Sequence, residues 1–165
     1  MPFWKRKSVS KQDSQPSQST WQATVPARGG AAPSAATAAA ANPFHRRGDE
    51  FFNEADYSNA VFMYCEALRQ PQDERSKEQI LLQLAIARTM CSPPDLNGAL
   101  TNVITAMQIN PTNGQAWRVK GDIHERQKDH KSAEEALVQA TALLSGYEKV
   151  QATQALANVR LQIAS

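Results

Sequence analysis

The chain has 165 residues, with 18 Lys and Arg, 16 Asp and Glu, two cysteines and nine prolines. This length suits one modest domain; two cysteines exclude a disulfide framework or a cysteine-built metal cluster, and no apolar run reaches the roughly 20 residues that span a bilayer. The net charge of +2 joins unlike parts: residues 1–48 hold seven bases and one acid, whereas residues 49–165 hold eleven bases and fifteen acids.

Residues 1–40 are rich in Ser, Gln, Ala and Pro and poor in large aliphatics, so they are expected to form a disordered basic arm. No apolar stretch follows Lys5-Arg6-Lys7, which argues against a secretory leader and for reduced thiols in a cytoplasmic setting. The same start places Phe3 and Trp4 beside Lys5, Arg6 and Lys7, the chemistry of a weak contact with an anionic membrane. A peripheral-membrane or mitochondrial location is the alternative reading of this arm, and a solvated tail is its simplest one. With no base-reading element beside it, the arm predicts no nucleic-acid partner.

From Asn42-Pro43, an N-cap residue followed by proline, the apolar spacing turns helical. Stripes run through Phe44, Gly48, Phe51, Phe52 and Ala55, then through Ala60, Met63/Tyr64, Ala67 and Leu68. Further helices are expected at Ile80–Met90, Gly98–Ile109, Gln115–Gln127, Lys131–Leu144 and Glu148–Ile163, with a longer loop across Gln70–Gln79. Short polar links between them force antiparallel neighbours. No run of period-two alternation supports a sheet.

One spacing recurs three times, a small residue followed twelve positions later by Ala and seven later by Ala again. The sets are Gly48/Ala60/Ala67, Ala87/Ala99/Ala106 and Gly121/Ala133/Ala140. Small residues suit tight helix crossings, with Phe51 and Tyr64, Met90 and Val103, and Trp117 and Leu137 expected as the knobs between them. The stretches Gly48-x-x-Phe51-x8-Ala60-x3-Tyr64-x2-Ala67 and Trp117-x-x-Lys120-Gly121-x11-Ala133-x6-Ala140, with Pro111 closing the middle set, resemble the tetratricopeptide repeat (TPR). Departures from the usual pattern are Arg47 and Lys120 for an aliphatic, Ala87 for Gly and His124 for Tyr.

The resemblance implies an all-α helical-hairpin solenoid of three hairpins, at about 41–74, 80–113 and 114–146. Residues 147–165 are then a solvating C-terminal capping helix. It also implies a protein-interaction adaptor or scaffold that holds a peptide or helix of a partner protein in a concave groove lined by the first helices. The repeat register predicts a lining of Asn42, His45, Arg46, Asp49 and Asn53, then Leu81, Leu84, Ala85 and Arg88, then Gln115, Arg118, Val119, Asp122 and Arg126. The arginines could grip carboxylates, or could equally be neutralised within the chain by Asp49 and Asp122. A membrane-tethered assembly factor and a self-assembling homo-oligomer are the alternative functions.

Co-chaperone members of the family seize acidic chaperone tails with a Lys-x3-Asn pair, a second Asn, then Lys and Arg. The matching places here carry His45 and Asp49, Ala85, then Gln115 and Val119. That ligand is therefore not expected. The three histidines lack metal-ligand spacing, and Asp122-x-x-Glu125 has no nucleophile or phosphate loop beside it. Neither an enzyme nor a cofactor or metal site is expected.

Overall fold

The computed structural model describes residues 42–164. Among them are seven helices and no strand: α1 (Pro43–Asn53), α2 (Tyr57–Arg69), α3 (Glu74–Met90), α4 (Leu96–Ile109), α5 (Gly114–Arg126), α6 (His130–Leu143) and α7 (Gly146–Ala164). Each packs on the next in chain order; α3 also touches α5, and α5 touches α7. None is long and apolar enough to cross a membrane. The arm carrying Phe3, Trp4, Lys5, Arg6 and Lys7 lies outside the described residues.

Side chains that satisfy the free N–H groups of the first turn set the helix starts. Asn42 caps α1 with Pro43 at its first position, and Asn113 caps α5. Asp56, Asp95 and Asp129 cap α2, α4 and α6 by accepting from the N–H of Asn59, Gly98 and Ser132. The turns inside the first and third hairpins are alike: a residue with positive φ, Ala55 at 60° or Lys128 at 66°, directly precedes the capping aspartate. The second hairpin instead turns through Cys91-Ser92-Pro93-Pro94-Asp95, two residues longer.

That insertion corrects the repeat register. Ala85, not Ala87, is the small residue of the second hairpin, because it packs with Ala99 and Val103. Ala87 faces backwards into the cluster of Ala60, Tyr64, Ala67, Ile80 and Leu84. Arg88 then occupies the place held by Phe51 and His124 in the other hairpins, and Met90 is 42 % exposed rather than a knob. The expected loop across Gln70–Gln79 is also shorter. Asp73 accepts from the backbone N–H and hydroxyl of Ser76 at 2.9 Å each, which starts α3 at Glu74. The additional residues therefore lengthen a helix.

Close approach makes the glycines of the outer hairpins necessary. A Cβ at Gly48 would lie 2.5 Å from Tyr64 Cε1, and one at Gly121 would lie 2.7 Å from Leu137 Cγ. Trp117 packs at the last crossing against Ala140, Leu144 and Ala152. Helix α7 covers the third hairpin with Ala152, Leu156 and Val159, which meet Ala133, Leu137, Ala140 and Leu144. Its opposite face is not the polar surface expected of a cap, since Tyr147, Val150 and Leu161 are 75, 62 and 71 % exposed.

Candidate functional site

One face of α3 carries Gln79, Leu82, Gln83 and Ile86, spaced at three and four residues as a helical stripe requires. Two adjoining clefts share Gln83 and Ile86 from this stripe. The first, of about 440 Å³, lies against α1 and α2 and adds Asp49, Phe52, Asn53 and Tyr64. The second, of about 520 Å³, adds His45 of α1 with Asn113, Gln115 and Val119 at the start of α5. Leu82, Ile86 and Val119 supply its apolar surface, while His45, Gln79, Gln83, Asn113 and Gln115 supply its polar groups. Among the described residues no Lys, Arg, Asp or Glu lines this second cleft.

Hydrogen bonds fix the surrounding side chains. His45 Nε2 lies 2.5 Å from Gln83 Oε1, joining α1 to α3. Tyr64 donates its hydroxyl to Asp49 Oδ1 at 2.8 Å; burial first, and then this carboxylate, push the Tyr64 hydroxyl well above the ordinary tyrosine range. At the start of α3, Glu78 is 6 % exposed and accepts from the Nδ2 groups of Asn110 (3.3 Å) and Asn113. At its end, Arg126 Nη1 donates to the Thr89 carbonyl at 3.0 Å.

The expected lining divides accordingly. His45, Asp49, Asn53, Gln115 and Val119 border the clefts. Leu81, Leu84 and Ala85 are buried at 5, 2 and 0 %, and Leu84 lies in the core with Tyr64 and Ile80. This is the two-residue register error again: the groove face of α3 belongs to Gln79, Leu82, Gln83 and Ile86, which the sequence reading missed. The Pro93-Pro94 pair is the signal that could have found them, because a turn two residues longer than Glu54-Ala55-Asp56 or Gln127-Lys128-Asp129 moves every position of α3 back by two. Of the five chaperone-clamp places, the middle one consequently falls on Gln83 rather than Ala85.

The four arginines expected to grip carboxylates have partners inside the chain. Arg46 Nε lies 3.8 Å from Glu50 and Arg88 Nη1 lies 2.6 Å from Asp95. Arg118 bonds both Gln115 Oε1 at 3.1 Å and Asp122 Oδ2 at 3.3 Å, and Arg126 is held on the end of α3. The expectation that Asp49 neutralises arginine is replaced by its bond to Tyr64. Asp122, with Glu125, Arg126, Lys128 and Gln162, borders a separate cleft at the third hairpin. Burial raises the Asp122 carboxyl above its usual range, against the pull of Arg118. Among the described residues no group of three or more His, Cys, Asp or Glu could hold a metal. Cys65 and Cys91 are both free thiols.

His124 gives the fold a pH response. Its side chain is 13 % exposed, with Nδ1 3.7 Å from Asp129 Oδ2; burial holds its pKa below 6.5, with Asp129 opposing and Lys120 assisting. A depressed folded-state value means that the unfolded chain takes up the proton first as pH falls. This contribution to stability is complete above the unfolded value of 6.5 and is lost as pH falls from there through the folded value. Wild type should therefore melt progressively lower from pH 7 to pH 5, with a shallower dependence in His124→Phe. Parallel melting curves in the two proteins would contradict this assignment.

No family model and no curated protein matches the chain. Solved structures do. The TPR2B domain of yeast Sti1, in complex with pHsp70, superposes with a TM-score of 0.62 at 23 % identity over 78 % of this chain and 98 % of that one. The Sgt2 TPR domain from Aspergillus fumigatus gives 0.63 at 19 % identity over 81 % of each chain. The second TPR domain of human RPAP3, in complex with the HSP70 peptide SGPTIEEVD, gives 0.61 at 15 % identity over 75 % of this chain and 97 % of that one. These likenesses, with three small-residue hairpins stacked on one another, establish that the described residues have the tetratricopeptide-repeat fold.

Proposed function

We propose that this protein is an interaction adaptor whose groove between α1, α3 and α5 captures an uncharged, partly apolar segment of a partner protein. The observation that carries the reading is the second cleft, with Leu82, Ile86 and Val119 flanked by His45 and four carboxamides. Apolar side chains supply contact area, and a few placed amides fix orientation, the usual division of labour in a ligand site. Gln83 and Gln115 use their oxygens on His45 and Arg118, which directs their NH₂ groups to a ligand's carbonyls. Like-folded domains of yeast Sti1 and human RPAP3 were solved with chaperone ligands, which supports peptide capture as the general activity.

The human RPAP3 ligand ends in Glu-Glu-Val-Asp, and an acidic tail needs fixed cations. Among the described residues this cleft has none, and Asp49 borders the adjoining one. Selection of displayed random peptides on the full chain should enrich sequences with an apolar anchor and low net charge. Leu82→Arg/Ile86→Arg should weaken the best binder at least tenfold, about 1.4 kcal/mol. Enrichment of acidic tails, or micromolar binding of SGPTIEEVD abolished by that double variant, would overturn the neutral-ligand reading.

A further inference from the structure

Helix α7 is apolar on two opposite faces. Its inner face, Ala152, Leu156 and Val159, is buried on the third hairpin. Its outer face bears Tyr147, Val150, Gln154, Ala157, Leu161 and Ala164, every one exposed. These six alternate at spacings of three and four, the seam that pairs one helix with another. A helix that merely closes a solenoid presents a polar outer surface. Here the three largest apolar seam residues, Tyr147, Leu161 and Val150, are the most exposed of the large hydrophobic side chains among the described residues.

We propose that α7 is a self-association surface, on which two copies of this protein pair their α7 helices antiparallel along the seam. Side-chain size fits this pairing. Setting the two-fold axis level with Ala155 and Leu156 places Tyr147 opposite Ala164 of a second copy, Val150 opposite Leu161, and Gln154 opposite Ala157. Large residues thus meet small ones at both ends, and two medium ones meet between. Every contact occurs twice, as an isologous interface requires.

Charge fits it as well. Helix α7 has three charged residues, Glu148, Lys149 and Arg160, and none lies in the seam. Arg160 is turned onto Glu134 of its own chain, Nε to Oε1 at 2.7 Å. In the paired helices it stands level with Gln151 of the second copy, so the two Arg160 side chains lie roughly 13 Å apart along the axis, beyond the screening length of about 8 Å. The flanking residues Gln151, Thr153 and Asn158 are uncharged. A helix that lies on a membrane carries cations along both flanks, and a strongly charged partner would need opposite charges that are absent here. A neutral seam suits another neutral seam.

A 19-residue helix is about 28 Å long, so the interface falls in the small, exchanging class below roughly 1,200 Å². Sedimentation of the full chain from about 10 μM to about 1 mM, the range where such contacts associate, should show mass rising from 18.1 kDa toward twice that value. Val150→Glu/Leu161→Glu should hold the mass at 18.1 kDa with unchanged melting, since both side chains are exposed. Mixing a Val150→Cys chain with a Leu161→Cys chain under oxidation should give mixed cross-linked dimers, and Val150→Cys alone should give none beyond wild type. A monomeric wild type over the whole range would refute the proposal. So would a dimer indifferent to the double glutamate variant, preferential Val150→Cys self-linking, or recruitment to neutral vesicles in place of self-association.

Discussion

Tyr64→Ala is expected to cost roughly 3–5 kcal/mol of stability, the range for truncating a buried aromatic. The ring is 1 % exposed and fills the space that Gly48 leaves open, with Ala60, Ala67, Ile80 and Leu84 in the same cluster. It therefore joins three helices, and its removal opens a void at the junction of the first two hairpins. Tyr64→Phe keeps the ring and loses only the bond to Asp49, for an expected cost of about 1 kcal/mol. Asp49 is 40 % exposed and regains water, which keeps that second figure small. Urea unfolding of the two variants measures both. A shift below about 1 kcal/mol for Tyr64→Ala would show that the ring does not fill this junction.

The second large effect is expected from a chain that stops at Ser145. Losing α7 removes Leu156 and Val159 and uncovers Ala133, Leu137 and Ala140. Burying a side chain of this size contributes about 1.5–3 kcal/mol, so the combined loss is on the order of 5 kcal/mol, comparable with the whole net stability of many domains. The shortened chain should aggregate or melt without a cooperative transition, read by light scattering and circular dichroism. Soluble protein with wild-type melting would show that α7 does not stabilise the third hairpin. The outer-face variant Val150→Glu/Leu161→Glu should retain full melting, so the two experiments separate the two faces of one helix.

The first and third hairpins are legible in the sequence because their turns are short and identical in length. Gly48 with Ala60, and Gly121 with Ala133, then stand at one spacing. The second hairpin hides its register in the Pro93-Pro94 turn, where two additional residues move the small partner of Ala99 from position 87 to 85. Two positions on a helix rotate a side chain by about half a circle, which is why Leu84 proved to be core and Leu82 groove. The charged stretch Asp73 to Gln79 reads as a loop by composition, whereas the Asp73 cap makes it helix. Arginine positions were legible and their partners were not, because pairs such as Arg88 with Asp95 depend on how two helices meet. On α7 the inner residues Ala152, Leu156 and Val159 stand at helical spacing in the sequence, and so do Tyr147, Val150 and Leu161, so spacing alone does not tell which face is buried.

Glu78 and Arg126 have a mechanical consequence for the groove. Glu78 ties the second turn of α3 to Asn110 and Asn113 ahead of α5, and Arg126 ties the last turn of α5 to the end of α3. The two helices are thus laced together at both ends, like rails held by two sleepers, with Leu82, Ile86 and Val119 between them. A guest chain meets a track whose gauge is already set, so the entropy lost on docking falls mainly on the guest. Loosening the Arg126 sleeper, which lies outside the cleft lining, would widen the track without touching the surface on which the guest rests.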